Sequence, residues 1–169
     1  AFAPARRKLV AADAHAVLFV GTAAAVAKGT RALRDAGSRA QVVTLSNNAS
    51  GGFAQLMGEH ARGTIVMQVF PNERSLAAPL AKEAADLARA KGMAGISPAM
   101  VEGFAAAKVL VEALRRAGAH PTRERLIDAL EGMRRVDLGG MELDYSPTDH
   151  TGLEYVDLSI IGRDGRFMR

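Results

Sequence analysis

Residues 16–20, Ala-Val-Leu-Phe-Val, form an unbroken apolar run that stops at Gly21 and Thr22. That is the pattern of a strand covered on both faces. The period then changes. Ala23, Val26, Thr30 and Leu33 recur at helical spacing, Lys28, Arg31, Arg34 and Asp35 lie elsewhere on the wheel, and Gly37 stands where a left-handed C-cap is wanted. Residues 41–45 supply a second strand, and the chain between the two strands has the length of a right-handed parallel crossover, so residues 16–45 read as a βαβ unit. A polar loop, Ser46-Asn47-Asn48-Ala49-Ser50-Gly51-Gly52, leads to a short helix over 53–58. Residues 63–69 are rich in β-branched side chains and end before Pro71, which marks a third parallel strand.

Helices dominate the middle of the chain. Pro79 suits the first turn of a helix reaching about Lys91, with Leu80, Ala84 and Leu87 on one face. Ser97 as N-cap and Pro98 at the first helical position open a longer helix ending at Ala117. Its stripe of Met100, Phe104, Ala107, Val111 and Leu114 predicts the most buried helix of the protein, with Phe104, Val111 and Leu114 in the core. Arg115 and Arg116 complement the dipole of its last turn, and Gly118 stops it. Thr122 caps a short helix through Leu130 that carries Leu126 and Ile127. Alternation then takes over: Met141, Leu143 and Tyr145 against Glu142 and Asp144, then Val156, Leu158 and Ile160 against Asp157 and Ser159. These two runs predict an antiparallel pair with those apolar residues on its buried face.

Composition narrows the chemistry. At 169 residues, 49% hydrophobic and 24% charged, the chain is long enough for an apolar core of its own. Its apolar stretches are too short to span a membrane. The N-terminal Ala-Phe-Ala-Pro-Ala-Arg-Arg-Lys carries charge but no apolar run leading to a cleavage site, so no signal peptide is read in this chain. With no cysteine, disulfides, thiolate metal sites and cysteine nucleophiles are excluded. The net charge of +4 is spread along helix faces among Asp and Glu, and aromatics make up 5% of residues, so no nucleic-acid partner is expected.

Several stretches resemble a known family. Val17-Leu18-Phe19-Val20-Gly21-Thr22 with the helix to Ala36-Gly37 looks like the strand and helix of the second lobe of type I periplasmic solute-binding proteins of the branched-chain amino-acid (Leu/Ile/Val)-binding kind. Residues 63–69 followed by Phe70-Pro71 resemble the strand after which that chain crosses back toward the first lobe. Gly103-Phe104-Ala105-Ala106 is similar to the family's Gly-Tyr-Asp-Ala helix, with Phe-Ala here in place of Tyr-Asp. Leu138-Gly139-Gly140-Met141-Glu142-Leu143 resembles its late Gly-x-Gly-x-x-x-Phe strand.

The resemblance implies an α/β fold with a parallel βαβ sheet flanked by helices, a late antiparallel β pair and a partial two-lobe structure, since family members are about twice this length. It divides the chain into 1–72 as most of the second-lobe βαβ region, 73–134 as a helical segment returning toward the first lobe, and 135–169 as β structure returning to the second lobe or hinge. It further implies a periplasmic, non-enzymatic receptor that captures a small polar solute, such as an amino acid, a carboxylate or an amide. That receptor hands its solute to the membrane permease of an ABC importer and uses no cofactor. A half of such a receptor would expose apolar surface and self-associate.

In parallel α/β sheets ligands gather at the carboxyl ends of strands. That rule selects Gly21, Thr22 and Ala23 after the first strand and Ser46, Asn47 and Asn48 after the second. Gly21 permits close approach, Thr22 offers a hydroxyl at a helix start, and the Asn amides donate and accept. The same residues also serve as ordinary turns and caps. In amino-acid-binding members of the resembled family, such loops hold the ligand carboxylate by donors and the ammonium by an acidic side chain. Here the loops contain donors and no acid, and Ala23-Ala24 replaces an aromatic, so carboxylates or amides without an ammonium group stand beside amino acids as ligands. No catalytic residue is assigned. His15, His60, His120 and His150 lack metal-site spacing, and Asp149-His150, which could suggest an acid-base pair, lies in a turn where neighbours point apart. The rival reading is a cytosolic flavodoxin-like α/β enzyme or small-molecule sensor.

Overall fold

The computed structural model describes residues 3–75 and 77–168. In chain order the elements are α1 (Ala3–Ala11), β1 (Ala16–Phe19), α2 (Ala23–Asp35), β2 (Gln41–Thr44), α3 (Gly51–Met57), β3 (Ile65–Gln68), α4 (Pro79–Ala90), α5 (Pro98–Ala117), α6 (Arg123–Glu131), β4 (Val136–Asp137), β5 (Glu142–Ser146), β6 (Asp149–Gly152), β7 (Asp157–Ile161) and β8 (Phe167–Met168). The chain divides into two compact units, one of Ala1–Gln68 with Val156–Arg169, the other of Val69–Tyr155.

The first unit holds a five-stranded sheet in the order β1-β2-β3-β7-β8. β1, β2 and β3 are mutually parallel, as the apolar runs predict. Because the strand order advances steadily, right-handed crossovers bring α2 and α3 to the same face. Val26, Ala27, Phe53, Ala54 and Met57 from those helices close over Val66, Ile161 and Phe167, and Leu33 covers Val17 with Leu9 of α1. α2 begins where Thr22 accepts from the Ala25 amide, and it ends in a Schellman motif. There Ser38 donates to Leu33 O at 3.0 Å and Gly37 to Arg34 O at 2.9 Å, with Gly37 at φ +82°.

Two expectations for this unit are corrected. β1 is an edge strand covered on one face, leaving Leu18 and Val20 exposed. β7 does not pair with the Met141–Tyr145 run; it adds antiparallel to β3. Its buried residues are Ser159 and Ile161, whereas Val156, Leu158 and Ile160 are exposed. Pairing Ser159 with Val66 and Asp157 with Gln68 sets that register. Hydrogen bonding to Gln68 makes a small polar residue the better fit inside.

The second unit packs α4, α5 and α6 with the antiparallel sheet β4-β5-β6. Its core joins Leu80, Val101, Ala105, Val109, Ala113, Met133, Leu138, Met141 and Leu143. The expected face of α5 is therefore wrong by about one position around the wheel. Val111 and Leu114 are exposed and Phe104 is half-buried, because the small residues Ala105 and Ala113 allow close packing where larger ones would not. Nor is α5 the most buried helix: it buries five of its 20 residues, α2 five of 13. On α4, Ala88 takes the inward place expected of Leu87, which is exposed. On α6, Leu126 packs on the core and Ile127 faces solvent. Ser97 and Thr122 cap α5 and α6 as their sequences predict.

Candidate functional site

The two loops singled out in the sequence lie side by side. Phe19 is in register with Thr44 at the carboxyl ends of adjacent parallel strands, so Gly21–Ala23 and Ser46–Asn48 emerge next to each other. Side chains then tie them together. The Asn47 and Asn48 amides both donate to Gly21 O, at 3.1 and 3.2 Å. Asn48 Nδ2 also donates to Thr44 Oγ1 at 2.9 Å, and Thr44 donates in turn to Phe19 O at 2.9 Å. Thr44, which sequence reasoning passed over, is the buried link between strands and loop. Its place in a β-branched strand hid that role.

What remains free determines what the site can do. Asn48 is buried and its Oδ1 has no hydrogen-bond partner. Thr22 is exposed, and its hydroxyl accepts from Ala25 N at 3.4 Å and keeps its own proton to donate. Ala23 and Ala24 open α2, and their amides have no acceptor within the helix. With no acidic residue in the first turn of α2, the positive end of the helix dipole faces outward uncompensated. Asn47 is exposed and Ser46 half-buried. Asn48 Oδ1 can only accept; the Thr22 hydroxyl, the Ala23 and Ala24 amides and Asn47 are donors for a carboxylate, carbonyl or amide oxygen.

The loops contain no acid, as read from the sequence, but the fold brings one to the same end of the sheet. Asp157 opens antiparallel β7 opposite Gln68, the last residue of β3, and its carboxylate accepts from Leu158 N at 2.7 Å. That placement depends on pairing between residues distant in the chain, which local patterns do not reveal.

The Asp149-His150 pair weighed in the sequence is engaged elsewhere. His150 Nε2 lies 3.1 Å from Glu131 Oε1, and the Asp149 carboxyl, held below its ordinary range chiefly by the Thr151 backbone amide, caps a turn. The Asp149-His150 dyad is thus not assembled. Among the described residues no group of three His, Asp or Glu could hold a metal ion, and no helix is long and apolar enough to cross a membrane.

The chain belongs to a family of periplasmic binding proteins: the profile described as "Periplasmic binding protein" matches residues 1–165. Solved structures agree. A substrate-binding periplasmic protein from Ralstonia solanacearum is 37% identical over 98% of this chain and 48% of its own, with a TM-score of 0.79. An extracellular ligand-binding receptor from Verminephrobacter eiseniae is 30% identical over 100% of this chain and 48% of its own, with a TM-score of 0.81. A possible leucine/isoleucine/valine-binding protein from Rhodopirellula baltica is 26% identical over 92% of this chain and 42% of its own, with a TM-score of 0.79. The chain therefore spans about half the length of these relatives. The family and these relatives are substrate-binding receptors, not enzymes. Among curated protein sequences nothing matches the chain.

Proposed function

We propose that this chain is part of an extracytoplasmic solute receptor of an ABC-type importer, in which Gly21, Thr22, Ala23, Ser46, Asn47 and Asn48 form one wall of the site. The supporting observation is the pair of loops joined by two Asn amides on Gly21 O beside the open N-terminus of α2. Thr22 and the Ala23 amide donate to an oxygen of the solute, which favours a carboxylate or amide group. Asp157 supplies a carboxylate at the same end of the sheet, suited to a solute that also carries an ammonium, so amino acids remain within the class. Family membership supports a membrane permease as partner and the periplasm as location. A second lobe closing over this wall would complete capture.

Thermal-shift screening against amino acids, aliphatic and aromatic carboxylates and amides tests the reading, since a ligand bound by the native state raises its stability. The expected result is a raised midpoint with one of these classes, recovery of the solute unchanged, and loss of the shift in Thr22→Val. Chemical conversion of the bound compound would count against a receptor.

A further inference from the structure

Gly29 stands in the middle of the buried stripe of α2, between Val26 and Leu33, both fully buried. Nothing in its backbone calls for glycine, since its φ is not among the positive ones, and glycine weakens a helix interior relative to alanine. What it supplies is a missing Cβ. One added there would fall on the Phe19 ring, 2.7 Å from Cε1, 3.3 Å from Cε2 and closest of all to Cζ. The backbone of α2 therefore rests directly on that ring, which also packs against the clusters around Val26 and around Leu33. The carbonyl of the same residue holds the other loop. Thr44 Oγ1 donates to Phe19 O at 2.9 Å, and Asn48 Nδ2 donates to Thr44 Oγ1 at 2.9 Å. Phe19 thus seats α2 by its side chain and the Ser46–Asn48 loop by its backbone.

We propose that Phe19 and Gly29 are positioning residues for the candidate site: their contact sets the height of the α2 N-terminus over the sheet, and with it the gap between Thr22 and the Asn47–Asn48 loop. Its meaning for solute capture rests on the receptor reading. Hydrogen bonds alone leave that height loose, because the Asn47 and Asn48 amides can swivel to follow Gly21 O, whereas an aromatic ring against bare backbone admits one close-packed distance. Gly21 and Thr22 lead straight into α2, so a helix lifted at Gly29 draws Gly21 O away from both Asn amides. At the helical rise, Gly29 lies about 10 Å along the axis from Thr22, so it acts on the site without reaching a solute there.

Nuclear magnetic resonance on the 169-residue chain without solute tests the proposal. Gly29→Ala should change the residual dipolar couplings of the α2 amides relative to those of β2 and β3, and should hasten exchange of the Asn48 carboxamide protons with water by about tenfold or more. Phe19→Leu removes the ring atoms that the new Cβ meets. In that background Gly29→Ala should leave couplings and exchange as they are in Phe19→Leu alone, whereas a methyl that merely disturbs the helix acts alike in both backgrounds. Phe19→Leu alone should also change the α2 couplings, because the helix loses its seat, and it decides the matter if Gly29→Ala does not fold. Unchanged couplings and exchange in folded Gly29→Ala, a response of equal size in both backgrounds, or unchanged couplings in Phe19→Leu would each overturn the proposal. Because no solute is present, an empty thermal-shift screen would count against the receptor reading and leave this result standing.

Discussion

Gln68 Nε2 donates to Ser159 Oγ at 2.6 Å across β3 and β7, with both side chains buried. Ser159 Oγ donates in turn to Val66 O at 3.2 Å, so the two residues form a short relay of hydrogen bonds inside the covered face of the sheet. The pair fixes the register that turns Leu158 and Ile160 outward. Ser159→Ala leaves the Gln68 amide short of an acceptor without removing much volume. The expected loss is about 1–3 kcal/mol in urea denaturation. A smaller loss in Ser159→Ala combined with Gln68→Leu than in Ser159→Ala alone would identify the orphaned amide as the cause.

Local signals in the sequence carried the fold a long way. The three parallel strands, the N-caps Ser97 and Thr122, and the Gly37 stop each depend on a few adjacent residues, and all are found in the structure. The side on which an element is buried depends on partners remote in the chain. β7 presents Leu158 and Ile160 to solvent because β3 brings Gln68 against its other face, and α5 buries small alanines because the second unit packs tightly there. The two candidate loops could be picked out as neighbours because strand ends and polar turns are local features. Thr44 and Asp157 were not, since one acts through a buried side-chain relay and the other arrives by antiparallel pairing.

The corrected face of α5 predicts an asymmetry between two apolar positions of the second unit. Leu80 is fully buried in its core, whereas Val111 is 46% exposed. Leu80→Ala should cost about 2–5 kcal/mol, the range for emptying a packed site. Val111→Ala should stay within about 0.5 kcal/mol, as for surface changes. Thermal unfolding of the two variants distinguishes this arrangement from the stripe read off the sequence, which requires the larger loss at Val111.

The turn between β4 and β5 predicts a second sensitive position. Gly139 has φ +108°, and a Cβ there would stand 2.9 Å from Leu80 N and 3.2 Å from its Cα. Those are backbone atoms, and Leu80 N already donates to Gly139 O at 3.0 Å, so the two segments cannot separate without losing that bond. Gly139→Ala should therefore destabilise by about 1–3 kcal/mol from backbone strain, with added cost from the clash. Gly103, whose added Cβ would meet nothing within 4 Å, is the control. Gly103→Ala lies inside α5 and should stabilise by about 0.5–1 kcal/mol. Equal effects of the two substitutions in chemical denaturation would show that the Gly139 turn is not under this constraint.

The same turn gives a pH dependence whose sign is fixed by geometry. Asp137 Oδ1 accepts from the Gly139 amide at 2.8 Å and the Gly140 amide at 2.7 Å. Those two backbone bonds, followed by the nearby charge of Lys108, hold its carboxyl below the ordinary aspartate value. A carboxyl whose pKa is lower folded than unfolded binds its proton more readily in the unfolded chain. Its contribution is therefore complete above the unfolded value and is lost as pH falls through the depressed folded value. Asp137→Asn keeps the size of the side chain and an acceptor oxygen but removes the charge. Its unfolding midpoint should lie below that of the unsubstituted protein at neutral pH, and the difference should close on acidification through the aspartate range. Glu131→Gln, which breaks the pair with His150, changes a charge in the same unit away from the turn. Melting curves for all three proteins across that range would place the effect: a gap for Asp137→Asn that persists undiminished in acid would show that the turn draws nothing from the ionised carboxylate.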